Sequence, residues 1–165
     1  MGRSVWVERD TVRVLLALLT VENRLALELS LRCGMRIGDV LATRRQDVEN
    51  GAWSYREQKT GKRRRVHIGK DLQIELLKIC GKVYVFEHRT DWRRHRTRQA
   101  VWKDLHRAAK LLKLKGTVSP HSARKVYAVE MYHRSGRDLE KVRRLLNHED
   151  EAVTLLYALA DEMSA

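Results

Sequence analysis

The chain has 165 residues and a hydrophobic content of 43%, which suits one globular domain and excludes disorder as the leading interpretation. Its 34 Lys and Arg exceed its 21 Asp and Glu, and the formal net charge of +13 favours a polyanionic partner such as nucleic acid. The longest apolar runs, such as Val14–Leu19, are too short to cross a bilayer, and Met1–Ser4 lacks the apolar region of a secretory signal, so we expect no membrane association.

Three helices are predicted in the N-terminal part of the chain. Apolar residues at helical spacing predict the first helix, with an inward face formed by Val12, Leu15, Leu16 and Leu19. A second helix is predicted over about residues 22–32. Gly34 interrupts the pattern, and Ile37, Val40 and Leu41 resume it as a third helix.

A small antiparallel sheet is predicted in the middle of the chain. Apolar and polar residues alternate in Trp53–Tyr55 and again in Val66–Ile68, as they do in half-buried strands. Lys59–Lys62 lies between these segments and carries the glycine expected of a hairpin loop. A short helix over Asp71–Ile79 follows, and Tyr84–Phe86 is predicted to add a third strand.

The second half of the chain is predicted to be mostly helical. Ser119-Pro120 is a strong helix start, because serine can cap and proline at the first position has no amide to leave unpaired. Four helices are predicted: from about Thr97 to Leu112, from Pro120 to His133, over Leu139–Leu146 with Asn147 as its cap, and from Glu149 onward. The expected fold class is therefore α+β and mainly helical, with helices packed around a small antiparallel sheet of about three strands.

The candidate functional residues lie at or near the ends of predicted elements and are Arg36, Lys59, His121, Arg124, His148 and Tyr157. His121 and Arg124 fall in the first turn of one helix, three residues apart and therefore on one face. The backbone amides of such a helix start favour a phosphate. Tyr157 lies off the apolar stripe that should face the core.

The order and spacing of these residues resemble those of the tyrosine recombinases, the phage integrase family. Gly34–Leu41 is similar to the first arginine box of the family, and Gln58–Lys62 resembles the hairpin that carries its catalytic lysine. His121–Lys125 resembles the HxxR box, and Leu145–His148 resembles the LLGH element that precedes the nucleophile, here Tyr157. The resemblance covers nearly all of the chain.

Three positions depart from the usual residues of the family. Asn147 replaces glycine, Ala123 replaces leucine and Arg45 replaces tryptophan. None of these removes a group that the chemistry needs, although Ala123 predicts looser packing before Arg124. The resemblance also implies that residues 1–165 form a catalytic domain, without the N-terminal DNA-clamping domain of the family.

The resemblance implies a function as a site-specific DNA recombinase or integrase. Attack on a phosphodiester builds negative charge on the non-bridging oxygens, which Arg36 and Arg124 can hold in forked geometry, with His148 as a further donor. Tyr157 would attack the phosphorus, and His121 would accept or orient its proton. The product would be a 3′-phosphotyrosine and a free 5′-hydroxyl.

The leaving 5′-oxygen needs a proton, and Lys59 on the hairpin is the expected general acid, with Lys62 as the alternative. We expect no cofactor and no metal, because the arginines already supply positive charge. Tyr127 and Tyr132 are rival nucleophiles in principle, but their helix predicts packing roles for both.

Two other functions stay open: a type IB topoisomerase relative that relaxes supercoils, and a catalytically idle DNA-binding regulator with the same fold. The expected partners are double-stranded DNA and further copies of the chain, as a tetramer on paired sites or a monomer in isolation.

Cys33 and Cys80 are interpreted as buried thiols in a reducing cytosol rather than a disulfide. The expected location is thus the cytoplasm, with nucleoid association when DNA is bound.

Overall fold

The computed structural model of the chain describes residues 9–146. Helices dominate this range and surround one small antiparallel sheet, which confirms the predicted fold class. In chain order the elements are α1 (Arg9–Ala17), α2 (Val21–Cys33), α3 (Ile37–Leu41), α4 (Arg45–Glu49), β1 (Ala52–Arg56), β2 (Arg63–His67), α5 (Lys70–Ile79), α6 (Arg98–Leu111), α7 (Pro120–Arg134) and α8 (Leu139–Leu146). None of the described helices is long and apolar enough to cross a membrane.

The three predicted N-terminal helices form, although α1 ends at Ala17 and leaves Leu19 in the turn that follows. A glycine separates the second helix from the third. Gly34 adopts the left-handed conformation with a φ of 64°, and its N–H donates a hydrogen bond to the carbonyl of Ser30 at 2.8 Å. Residues with a side chain adopt this conformation only at a cost, so glycine is the natural end of α2. The chain can then turn at once through Arg36 into α3.

The hairpin also forms as predicted. β1 and β2 pair antiparallel, with Trp53 opposite Val66 and Arg56 opposite Arg63. Trp53 and Val66 are both buried and fix the inward face of the sheet. The side-chain period of two then points every second residue of β1 toward the protein interior.

The prediction of a third strand at Tyr84–Phe86 is wrong. In the described part of the chain the sheet has only β1 and β2, and Tyr84 makes an isolated bridge with Arg44 instead. The backbone N–H of Val85 donates to the carbonyl of Thr43 at 3.1 Å. Val85 and Phe86 are fully buried, so this apolar segment packs into the hydrophobic core without joining the hairpin.

One helix was not predicted. α4 has five residues, and the carboxylate of Asp47 accepts a hydrogen bond of 2.9 Å from the backbone N–H of Arg44 at its start. This contact satisfies an amide at the helix N-terminus. A single helical turn is too short to show an apolar period, which is why the sequence pattern did not reveal it.

The C-terminal helices start where their capping residues predict. The Thr97 side chain accepts from the N–H of Ala100 at the start of α6, and the Ser119 hydroxyl accepts from the N–H of His121 at 3.3 Å at the start of α7. α7 packs against α2, and α8 closes over α7 through a small cluster of Tyr127, Ala128, Val142 and Leu146. Asn147 and the helix predicted from Glu149 lie outside the described residues.

Both cysteines are free thiols, as predicted, although each is half-buried and not fully enclosed. Burial raises the pKa of the Cys33 thiol to about 11, against the lowering effect of Arg64 and Arg32. Burial also raises the pKa of Cys80. Both sulfurs are therefore protonated and weakly reactive at neutral pH.

Candidate active site

Three of the predicted site residues line one open cleft. Arg36 from the start of α3, Lys59 from the hairpin and His121 from the first turn of α7 surround a space of about 480 Å³. Arg124 does not line this space but is buried close enough to Arg36 and His121 for its charge to act on both. The structure thus brings four of the six predicted residues together. His148 and Tyr157 lie outside the described residues.

Arg36 occupies the N-cap position of α3, with extended backbone angles of −70° and 144°. Its side chain is only 13% exposed, and its Nη1 lies 2.6 Å from Oε2 of Glu57. A charge this deeply buried needs a partner, because desolvation costs more than an isolated cation can recover. Glu57 provides that partner.

Glu57 is the residue that sequence reasoning missed. It follows β1 directly, its side chain is fully buried, and three arginines surround it. Its carboxylate lies 3.3 Å from Nη1 of Arg64 and 3.9 Å from Nη1 of Arg124, besides the contact with Arg36. Thr60 donates a hydrogen bond of 2.6 Å to Oε2. These five side chains are hereafter called the Glu57 cluster.

The charge state of Glu57 follows from two opposing effects. Burial alone would raise the pKa of this carboxyl, but the hydrogen bond from Thr60, the close ion pair with Arg36 and the charge of Arg124 lower it by more. The pKa of Glu57 therefore lies below its ordinary value, and the group is ionised at neutral pH. The cluster holds three guanidinium groups and one carboxylate, so positive charge remains in excess at the cleft.

A signal for Glu57 was present in the sequence. Trp53, Tyr55 and Glu57 alternate along one face of the hairpin, and Trp53 and Glu57 are both buried. An acidic residue in register with inward-facing aromatic residues needs a cationic partner. The nearby arginines made such a partner available.

Arg124 is held by backbone carbonyls as well as by charge. Its Nη1 donates to the carbonyl of Gly34 at 2.9 Å and its Nη2 donates to that of Leu146 at 2.5 Å. Burial, then repulsion from Arg36 and Arg64, lowers the pKa of Arg124 to about 10, which still leaves it charged at neutral pH. Its Nε is buried and has no hydrogen-bond partner among residues 9–146.

Lys59 is exposed at the tip of the hairpin, but the backbone on both sides of it is anchored. Before it, the N–H of Gln58 donates to Oδ1 of the buried Asp39 at 3.0 Å. After it, the N–H of Gly61 donates to the carbonyl of Glu57 at 2.9 Å. The turn is thereby fixed to α3 and to the Glu57 cluster, and Lys59 itself lines the cleft.

His121 is poised as a neutral imidazole. Partial desolvation at the start of α7 lowers the pKa of His121, and the positive charges of Arg124, Lys59 and Arg36 lower it further. The ring itself faces the solvent of the cleft. A neutral imidazole in an electropositive cleft can accept a proton or a hydrogen bond.

Tyr127 and Tyr132 have the packing surroundings that were predicted for them. Tyr127 is buried, its ring covers Gly34, and burial raises the pKa of its hydroxyl. Tyr132 packs at the edge of the same small cluster between α7 and α8. Neither tyrosine lines the cleft that contains Arg36 and Lys59.

Comparison with known proteins matches the chain to integrases and tyrosine recombinases. The model of the phage integrase family matches residues 6–163. The probable integrase/recombinase YoeC of Bacillus subtilis is 30% identical over 135 residues, which cover 78% of this chain and 72% of that protein. The tyrosine recombinase XerD of Mycobacterium tuberculosis is 30% identical over 157 residues, which cover 86% of this chain and 49% of XerD.

Solved structures share the fold. A lambda integrase tetramer bound to a Holliday junction superposes with a TM-score of 0.75 at 19% identity, over 95% of this chain and 48% of that one. The XerA recombinase superposes with a TM-score of 0.68 at 20% identity, over 93% of this chain and 60% of that one. The chain therefore spans about half the length of XerD and of the lambda integrase chain.

Proposed function

The chain belongs to the phage integrase family, and on that premise we propose that it breaks and rejoins double-stranded DNA as a site-specific recombinase. Residues 1–165 would act as the catalytic domain. The observation that carries the proposal is the convergence of Arg36, Lys59 and His121 on one cleft, from three separate segments of the chain, with the buried Arg124 close enough to His121 for its charge to act on the imidazole.

The two arginines would bind the scissile phosphate. Arg36 lies on the wall of the cleft. The Nε–H of Arg124 is buried and has no hydrogen-bond partner among residues 9–146, and we propose that the bound phosphate is its partner. Both guanidinium groups are largely desolvated, which strengthens their interaction with the charge that develops on the non-bridging oxygens. His148 would donate a further hydrogen bond to the same oxygens.

The bond changes would proceed as in-line displacement at phosphorus. The phenolic oxygen of Tyr157 forms a bond to phosphorus as its proton leaves, and the neutral His121 accepts or orients that proton. The bond from phosphorus to the 5′-oxygen breaks, and Lys59 protonates this leaving oxygen. A 3′-phosphotyrosine and a 5′-hydroxyl result. Attack by a 5′-hydroxyl of another duplex then releases Tyr157 and joins the strands without external energy.

Positive charge supports DNA as the partner. The net charge of +13 matches a polyanion, and phosphate neutralisation supplies most of the affinity in such complexes.

We propose that no cofactor or metal takes part, since the arginines and Lys59 supply the charge and the proton. Recombination needs two duplexes, so we propose a homo-oligomer, with a tetramer on paired sites. The protein would act in the cytoplasm, on the nucleoid.

A suicide DNA substrate tests this function. If the strand is nicked near the scissile phosphate, the short 5′-hydroxyl fragment diffuses away and the covalent complex accumulates. We expect a denaturant-resistant adduct between protein and DNA. Binding without an adduct would identify an idle regulator. Relaxation of supercoiled plasmid that carries no paired sites would instead identify a topoisomerase-like enzyme.

A further inference from the structure

We propose that Glu57 is a positioning residue that holds the phosphate-binding arginines and the general-acid hairpin in one rigid unit. The inference rests on the proposed function and names a residue outside the set implied by the family resemblance. It follows from the contacts of one fully buried carboxylate.

The first contacts fix the arginines. Oε2 of Glu57 lies 2.6 Å from Arg36, while Oε1 faces Arg64 at 3.3 Å and Arg124 at 3.9 Å. An unpaired arginine rotates freely about its terminal bonds, whereas a buried carboxylate between guanidinium groups sets their planes. The two site arginines thus share one anionic partner, which is fully buried and does not line the cleft, so the substrate would not displace it.

Arg64 completes this support without reaching the cleft. Its Nη2 donates to the carbonyl of Cys33 at 3.1 Å, and its Nη1 donates to that of Gly34 at 3.1 Å. The Gly34 carbonyl also accepts from Arg124. Arg64 therefore ties the hairpin to the end of α2 at the same point that holds Arg124.

The second set of contacts fixes the hairpin. The N–H of Glu57 donates to the carbonyl of Lys62 at 3.0 Å, and its carbonyl accepts from the N–H of Gly61 at 2.9 Å. The Thr60 hydroxyl donates to the Glu57 carboxylate. Lys59 lies inside this loop, so the position of its ammonium depends on the residue that also holds Arg36 and Arg124.

Glu57→Gln is the informative substitution. It keeps the size of the side chain but removes the negative charge, so three guanidinium groups lose their buried anion. We expect the single-turnover cleavage rate of the folded variant to fall on the order of 10²-fold, the effect of a misplacement of about 1 Å. Equilibrium DNA affinity should change little, because exposed basic residues supply it. Glu28→Gln removes a partly buried ion pair with Arg24 in α2 and serves as the matched control.

A substrate with sulfur in place of the bridging 5′-oxygen separates the effect of Glu57 on the arginines from its effect on the general acid Lys59. This leaving group departs without a proton, so it removes the need for Lys59 alone. We expect sulfur to restore only part of the Glu57→Gln rate, because the arginines remain misplaced. Full rescue would show that Glu57 acts through the hairpin only and would overturn its role toward the arginines. A wild-type rate in folded Glu57→Gln would overturn the whole inference.

Spectra of the DNA-free protein test the inference independently of activity. We expect separate, ordered guanidinium NMR signals for Arg36 and Arg124 in the wild type and in Glu28→Gln, and averaged signals in Glu57→Gln. Unchanged signals would overturn the inference. If Glu57→Gln does not fold, Glu57→Asp retains the charge but withdraws it by one methylene, and unchanged signals in that variant would overturn the inference equally. Failure of the wild type to form an adduct would overturn the proposed function alone, since these spectra do not depend on it.

Discussion

The ring of Tyr127 lies directly against Gly34, so that the Cβ atom of any other residue at this position would overlap the ring. Gly34 also has a φ of 64°. Its carbonyl accepts hydrogen bonds from Arg64 and from Arg124. The end of α2 is thus a structural support of the site.

Gly34→Ala should therefore lose more stability than its backbone conformation alone explains. Gly136→Ala is the matched control, since Gly136 has a φ of 73° and an added methyl group there would meet no atom within 4 Å. The control should lose about 1–2 kcal/mol from the left-handed conformation. Gly34→Ala should lose about 1–3 kcal/mol more through overpacking against Tyr127. Chemical denaturation measures both, and equal losses would contradict the packing account.

Ala123 should accept a larger side chain. Together with Leu15, Leu27 and Leu105 it lines a small apolar cavity between α1, α2, α6 and α7. Ala123→Leu should stabilise the fold by about 0.5–2 kcal/mol by filling this cavity. Ala108→Leu, at a fully buried position that does not line the cavity, should instead destabilise it by about 1–3 kcal/mol. Thermal unfolding compares the two, and a loss of stability in Ala123→Leu would refute the prediction.

The pKa of His121 should lie below its ordinary value of about 6.5, because desolvation and the charges of Arg124 and Lys59 oppose protonation. The imidazole therefore stays neutral as the pH falls through that value, and cleavage should be lost only at lower pH. An NMR titration measures the pKa directly. Lys59→Ala should raise the pKa of His121 toward the ordinary value, whereas Lys78→Ala, an exposed lysine in the last turn of α5, should not. Equal His121 pKa values in the wild type and in Lys59→Ala would contradict the placement of Lys59 close to His121 in the site.

If Lys59 protonates the leaving oxygen, Lys59→Ala should cleave ordinary DNA about 10²–10⁴-fold more slowly than the wild type. A bridging 5′-sulfur needs no such proton, so the variant should cleave that substrate at close to the wild-type rate. Arg36→Ala should stay slow on both, because its role concerns the non-bridging oxygens. If Lys59→Ala is equally impaired on both substrates, Lys62 becomes the candidate acid.

Much of this architecture could be predicted from the sequence. Apolar periods and capping residues located most of the helices and the hairpin, because these signals are local. The prediction of a third strand was wrong because the apolar run at Tyr84–Phe86 indicates burial but does not determine which segment it pairs with. α4 was not predicted because a helix of about one turn is too short to show an apolar periodicity.

The site divides in the same way. Arg36, Lys59, His121 and Arg124 follow recognisable motifs, and the structure brings the first three to one cleft, with Arg124 buried nearby. The alternation of Trp53, Tyr55 and Glu57 indicated that Glu57 points inward, but its cationic partners could not be predicted, because only the fold brings together the arginines from the start of α3, from β2 and from α7.

The covalent bond to Tyr157 is the central claim, and mapping the adduct tests it most directly. The wild type and Tyr157→Phe would be incubated with the suicide substrate, denatured and digested, and the DNA-linked peptide identified by mass. We predict that the wild-type adduct maps to Tyr157 and that Tyr157→Phe binds DNA but forms no adduct. An adduct that persists in Tyr157→Phe, or that maps to Tyr127 or Tyr132, would contradict the account.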